Sequence, residues 1–110
     1  MSKIIAVDFD GTLCKNAYPH IGAPLVDDET GLTTIEKIKM LQEEGWQVIL
    51  WTCRCNERLT EAIEWCTVRG LTFDAINENV QEIKDAFDGE GVKVFADVYL
   101  DDRAVNIKDF

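Results

Sequence analysis

The sequence predicts an α/β fold, a three-layer sandwich in which a parallel sheet carries helices on both faces. Three observations carry this. Four short apolar runs are separated by segments of helical periodicity, which implies right-handed βαβ units. The first two runs are apolar without alternation, as strands buried on both faces are. At 110 residues, with 46% hydrophobic residues and two prolines, the chain holds one core and is too short for two ordinary domains. Residues 1–110 are therefore read as one domain, with no low-complexity tract, internal repeat or long linker.

The elements follow in order. Ile4-Ile5-Ala6-Val7 is rich in β-branched residues and too short for a helix, so it reads as a buried strand. Residues 13–29 hold both prolines and two glycines without a sustained period, and are expected to form a loop or flap. From Thr30 onward Leu32, Ile35, Ile38 and Leu41 recur at helical spacing, with Gly45 at the stop. Residues 47–51 (QVILW) form the second strand. Asn56 is expected to cap a helix whose Leu59, Ile63 and Cys66 share a face and which Gly70 ends. Residues 71–76 read as a weaker third strand. A short helix aligns Val80, Ile83 and Phe87, a turn follows at Asp88-Gly89-Glu90-Gly91, and residues 94–100 form the fourth strand.

The net charge of −10 disfavours nonspecific attraction to nucleic-acid backbone or anionic membrane. A phosphorylated substrate stays open, because a bound cation can reverse the local field. No apolar stretch approaches the roughly 18 residues of a membrane span, and the start MSKIIAVDFD lacks a signal-peptide pattern. A cytoplasmic location is the expectation, with Cys14, Cys53, Cys55 and Cys66 as reduced thiols. Cys53-Arg54-Cys55 has no second Cys or His pair to complete a zinc site, and His20 is the single histidine.

Acids cluster at the ends of the runs. The first strand ends in Asp8-Phe9-Asp10, the last in Asp101-Asp102, and the second in Thr52-Cys53-Arg54. Ligands of doubly wound sheets sit at the carboxyl ends of strands, where the winding reverses. Winding strands two and three to one side of strand one, and strand four to the other, gives the order 3-2-1-4. The acid pairs then meet on strands roughly 4.8 Å apart. Two like charges ~4 Å apart repel by about 4 kcal/mol at an effective dielectric of about 20. Protonation or a hard cation must relieve that repulsion, and oxygen ligands without histidine favour Mg²⁺. Alternation lets Asp8 and Asp10 point to one side while Phe9 enters the core.

Asp8-Phe9-Asp10-Gly11-Thr12 resembles motif one of the haloacid dehalogenase superfamily in its phosphatase form, D-x-D-G-T. Thr52, Lys93 and Asp101-Asp102 fit motifs two, three and four in the family's order. The resemblance implies a phosphomonoester hydrolase. Asp8 would be the nucleophile that forms an aspartyl-phosphate, and Asp10 the general acid and then base. Mg²⁺ would be held by Asp8, the backbone carbonyl of Asp10, Asp101 and Asp102. Thr52 and Lys93 would hold the transferring phosphoryl group. Gly11 and Thr12 would supply backbone N–H groups and a tight turn. Lys84 is the rival to Lys93, and lies within a helix.

Arg54 and Arg103 flank this site, where each fits either a phosphate or a salt bridge within the acid cluster. Tyr18, Pro19, His20 and Ile21 fall in the flap, within reach of a substrate. Neither gap where the superfamily inserts a cap is long enough for one, which implies an open site suited to a bulky substrate or to a homodimer. A phosphorylated small molecule is the expected substrate. The T-x-R and D-D-R runs also resemble polynucleotide kinase phosphatase domains, which act on 3′-phosphorylated nucleic-acid ends, although the chain lacks a basic stripe. Two other classes use the same residue types: a phospho-accepting receiver domain, whose chain order differs, and a catalytically silent binding module.

Overall fold

The computed structural model describes residues 2–86 and 94–101. The expectations for Phe87, the 88–91 turn, Lys93, Asp102 and Arg103 lie outside the described residues. The chain opens with β1 (Ile4–Val7) and a ribbon of β2 (Cys14–Ala17) and β3 (His20–Pro24). It then alternates α1 (Thr34–Glu43), β4 (Gln47–Leu50), α2 (Asn56–Val68), β5 (Ala75–Ile76), α3 (Gln81–Ala86) and β6 (Val98–Leu100). The main sheet has the spatial order β5-β4-β1-β6 and is parallel throughout, whereas β2 and β3 pair antiparallel as a separate ribbon.

β1 is paired on both edges and covered on both faces, and each of its residues is at most 1% exposed. Its alternation divides the core. Ile5 and Val7 pack with Ile35 and Ile38 of α1 and with Ala62 and Cys66 of α2. Ile4 and Ala6 pack with Ile49, Val80 and Ile83 on the α3 side. Each fully buried aliphatic side chain contributes about 1.5–3 kcal/mol, so the two-faced burial of β1 is a large part of what holds the sheet.

α1 begins at Thr34, two residues after the first periodic position Leu32, because Thr33 forms a capping box there: its hydroxyl accepts from the Glu36 N–H at 3.1 Å and the Glu36 carboxylate accepts from the Thr33 N–H at 3.2 Å. Asn56 does not cap α2 as expected. The N-cap is Cys55, without a side-chain hydrogen bond, and Asn56 is the first helical residue, at φ 51°.

Three stretches depart from expectation for local reasons. The segment read as a loop contains the β2–β3 ribbon, whose register shifts between Cys14 and Asn16. Only Cys14 of β2 is buried, so the ribbon shows no alternating pattern. Gly22 is its local signature, since a Cβ there would run into the Lys15 carbonyl oxygen. Residues 71–76 yield only the two residues of β5, and residues 94–100 only the three of β6. In each case an aspartate takes the next donor on the neighbouring strand: Asp74 Oδ2 accepts from Val48 N at 2.7 Å and Asp97 Oδ2 from Ile4 N at 2.8 Å. The ladder ends where the carboxylate replaces a carbonyl.

Among the described residues no helix is long and apolar enough to cross a membrane.

Asp27 is held below its ordinary carboxyl pKa of 3.8, first by the backbone N–H of Glu29 and then by Lys37, whose Nζ is 3.0 Å from Oδ2. A lowered folded value means stability that is present above the ordinary pKa and lost as pH falls through the lowered one. Stability should therefore fall more steeply with acid in the native protein than in Asp27→Asn between about pH 5 and pH 2, as read from urea midpoints. Equal slopes would show that the turn gains nothing from the charge.

Burial pushes the Cys66 thiol up to about 12 and raises that of Cys14, whereas Cys53 and Cys55 are exposed. A maleimide at mildly alkaline pH should label Cys53 and Cys55 in the native protein and reach Cys14 and Cys66 only after unfolding. Peptide mapping of the labelled sites checks this.

Candidate functional site at the carboxyl ends of the strands

The hydrogen-bond ladders on both sides of β1 run past its end. Asp8 N donates to Leu100 O at 3.0 Å and Trp51 N donates to Val7 O at 2.9 Å. The residues that follow β1, β4 and β6 therefore share one rim. A pocket of about 270 Å³ opens there, lined by Asp8, Thr52, Cys53 and Asp101 together with Trp51 and Tyr99. Asp8 Oδ1 accepts from Phe9 N at 2.8 Å. Thr52 is fixed by its N–H on Asn77 Oδ1 at 2.8 Å, and its hydroxyl oxygen accepts from Arg54 N at 3.2 Å. The hydroxyl proton of Thr52 can still be donated, which suits contact with an anionic oxygen.

After Asp10 the chain makes a tight turn around one carbonyl. Phe9 O accepts from the N–H groups of Thr12, Leu13 and Cys14, and Gly11 N donates to Cys14 O at 2.9 Å. Gly11 sits at φ 84°, a conformation glycine adopts without steric cost. Of the two roles implied for Gly11 and Thr12, the turn is what they make here. The N–H groups of both are spent within it. Thr12 is fully buried, and its Oγ1 has no partner among the described residues.

The two carboxylates of D-x-D have different neighbours. Phe9 between them is fully buried, as alternation requires. Asp8 faces the pocket, whereas Asp10 meets Arg54 in a bidentate ion pair: Nε to Oδ2 at 2.7 Å and Nη2 to Oδ1 at 2.8 Å. The Arg54 side chain is 1% exposed. Its remaining donors reach His20 O at 2.9 Å and Arg58 O at 3.4 Å, and its guanidinium carbon lies 5.0 Å from the Phe9 ring centroid and 5.1 Å from that of Tyr18. The hydrogen bonds that Arg54 donates to Asp10 raise its pKa above the ordinary value. Of the two uses open to Arg54, the salt bridge within the acid cluster is the one observed, not a site facing the pocket.

The structure thus brings Asp8, Thr52 and Asp101 together and sets Asp10 beside them on Arg54. Gly11 and Thr12 are not among the residues that line the pocket. Tyr18 and His20 of the ribbon contact Arg54 and do not line the pocket. Lys84 is engaged by Glu78 at 2.6 Å on α3. Trp51, Tyr99 and Cys53 were not anticipated as lining residues. Their signal is positional: Trp51 and Cys53 bracket Thr52, and Tyr99 stands two residues before Asp101 on the same strand face.

The Asp8 and Asp101 carboxylates and the Asp10 carbonyl are oxygen donors on adjacent strand ends, a set that fits a hard cation whose other ligands are water or phosphate. Among the described residues no group of three His, Cys, Asp or Glu forms a metal site by itself.

No protein-family model and no curated protein matches the chain. A solved structure does match, described as that of a conserved protein coded by a locus from Bacteroides thetaiotaomicron. It is 42% identical, with a TM-score of 0.76 over 96% of this chain and 79% of that one. The chain belongs to the same family as that conserved protein.

Removing the guanidinium strands the Asp10 carboxylate against a partly buried wall. Arg54→Ala should cost about 3 kcal/mol of unfolding free energy, and Arg54→Lys less, because it keeps the charge and loses the fork. Denaturant titration of the three proteins measures the order; an unchanged Arg54→Ala midpoint would mean that the pair is not formed in solution.

Proposed function

We propose that the protein is a Mg²⁺-dependent phosphomonoester hydrolase that works through an aspartyl-phosphate. The observation that carries the reading is the convergence of Asp8, Thr52 and Asp101 on one pocket at the ends of β1, β4 and β6. The parallel sheet order β5-β4-β1-β6 supports it, since it sets the ends of β4, β1 and β6 side by side.

In this reading Asp10 enters the cycle protonated on a lone pair that the Arg54 fork leaves free; an Asp8 oxygen attacks phosphorus, the bond from phosphorus to the ester oxygen breaks, and the departing oxygen takes that proton. A water then attacks the phosphorus of the aspartyl-phosphate, gives its proton to Asp10, and releases inorganic phosphate with Asp8 restored. Thr52 donates its hydroxyl proton to a phosphoryl oxygen. Lys93 and Arg103, which lie outside the described residues, are assigned to phosphate charge, and Asp102 to the cation set. A bound Mg²⁺, held by Asp8, Asp101 and the Asp10 carbonyl, would neutralise charge on the phosphoryl group. Arg54 fits this scheme as the group that aims Asp10, since each Asp10 oxygen keeps a lone pair beyond its bond to the guanidinium. The substrate is a phosphorylated small molecule, with a 3′-phosphorylated nucleic-acid end as the wider option.

Phosphate release from a generic aryl phosphate should depend on added Mg²⁺ and fall by on the order of a thousandfold or more in Asp8→Asn, with the circular dichroism spectrum unchanged. Full activity in that variant would end the mechanism. A phosphoryl group that persisted on one Asp for minutes would move the protein to the receiver class.

A further inference from the structure

Trp51 is 46% exposed although Val48, Ile49 and Leu50 before it are completely buried. Its ring lies 5.3 Å from that of Tyr99, tilted by 59°. Tyr99 is anchored by its hydroxyl, which donates to Val94 O at 2.7 Å and accepts from Ala96 N at 3.1 Å, so its ring is held in place before any ligand arrives. Ala6 pairs in register with Tyr99 and also lines the pocket; with only a methyl group it leaves the floor between β4 and β6 low. Along β1 and β6 the same face continues to Asp8 and Asp101, two residues beyond Ala6 and Tyr99. None of the residues lining the pocket is a Lys, Arg or His among those described. Among the described lining residues, the contacts open to the organic part of an anionic ester are therefore neutral ones, chiefly the two rings.

We infer that Trp51 and Tyr99 form a preorganised stacking surface beside the carboxylates, and that the substrate is a monophosphate ester whose alcohol carries a planar aromatic ring. This rests on the phosphohydrolase reading and adds the substrate class to it. The rings recognise a π face, and a pocket of about 270 Å³ has room for a small ligand of this kind.

The test compares benzylphosphonate with cyclohexylmethylphosphonate, which are similar in charge and size, by calorimetry in the presence of Mg²⁺. The native protein should bind the benzyl compound about fivefold more tightly. Trp51→Phe should keep that preference and Trp51→Ala should lose it. Equal affinities in the native protein, a preference unchanged in Trp51→Ala, or no binding of either compound would overturn the inference. Benzyl and cyclohexylmethyl phosphates, as esters of similar leaving alcohols, separate the two readings. Hydrolysis of both with equal kcat/KM leaves the phosphohydrolase standing without the ring site. An aromatic binding preference with no turnover of any ester supports the ring site and removes the phosphohydrolase.

Discussion

The amide of Asp8 reaches the carbonyl of Leu100, and the amide of Trp51 reaches the carbonyl of Val7. Through these two bonds β1 fixes both of its neighbours in register, and the side chains that follow the three strands arrive at one rim. Parallel pairing imposes this. In an antiparallel arrangement the residues after β1 and β6 would stand at opposite ends of the sheet. The pairing also demands that β1 be apolar throughout, because α1 and α2 cover one of its faces and α3 packs on the other. An abrupt change from four fully buried residues to an aspartate is the sequence expression of that constraint.

A second constraint is the buried cation. Desolvating a guanidinium and a carboxylate costs several kcal/mol per ion, and the attraction between them offsets this only when the geometry is good and the other donors are satisfied. Arg54 meets those conditions with a fork on Asp10, carbonyl contacts at His20 and Arg58, and two aromatic rings nearby. The net gain in stability from such an arrangement is small. What it supplies is a fixed direction for the Asp10 carboxylate, which a softer ammonium would not give.

Much of the layered α/β architecture could be read from the chain, because β-branched runs and 3.6-residue periodicity are direct consequences of burial. The elements that escaped are those whose cause is a single group. The β2–β3 ribbon buries almost nothing, so it leaves no apolar pattern, and only Gly22 marks where its two strands approach. The lengths of β5 and β6 were overestimated because Asp74 and Asp97 substitute for backbone acceptors, a competition that propensity does not encode. At the candidate site, Asp8, Thr52 and Asp101 were accessible to reasoning from strand ends. The partner of Asp10 was not, since Arg54 is equally at home on a phosphate or on a carboxylate and only the burial of the guanidinium separates the two.

The same guanidinium has a mechanical side. Arg54 holds the His20 carbonyl and lies near the Tyr18 ring, both close to the turn of the ribbon, while its other edge grips Asp10. Displacing that turn means breaking a charge-assisted bond and uncovering an aromatic face at the moment the grip on Asp10 slackens. The position of the ribbon and the aim of one carboxylate therefore rest on the same buried side chain.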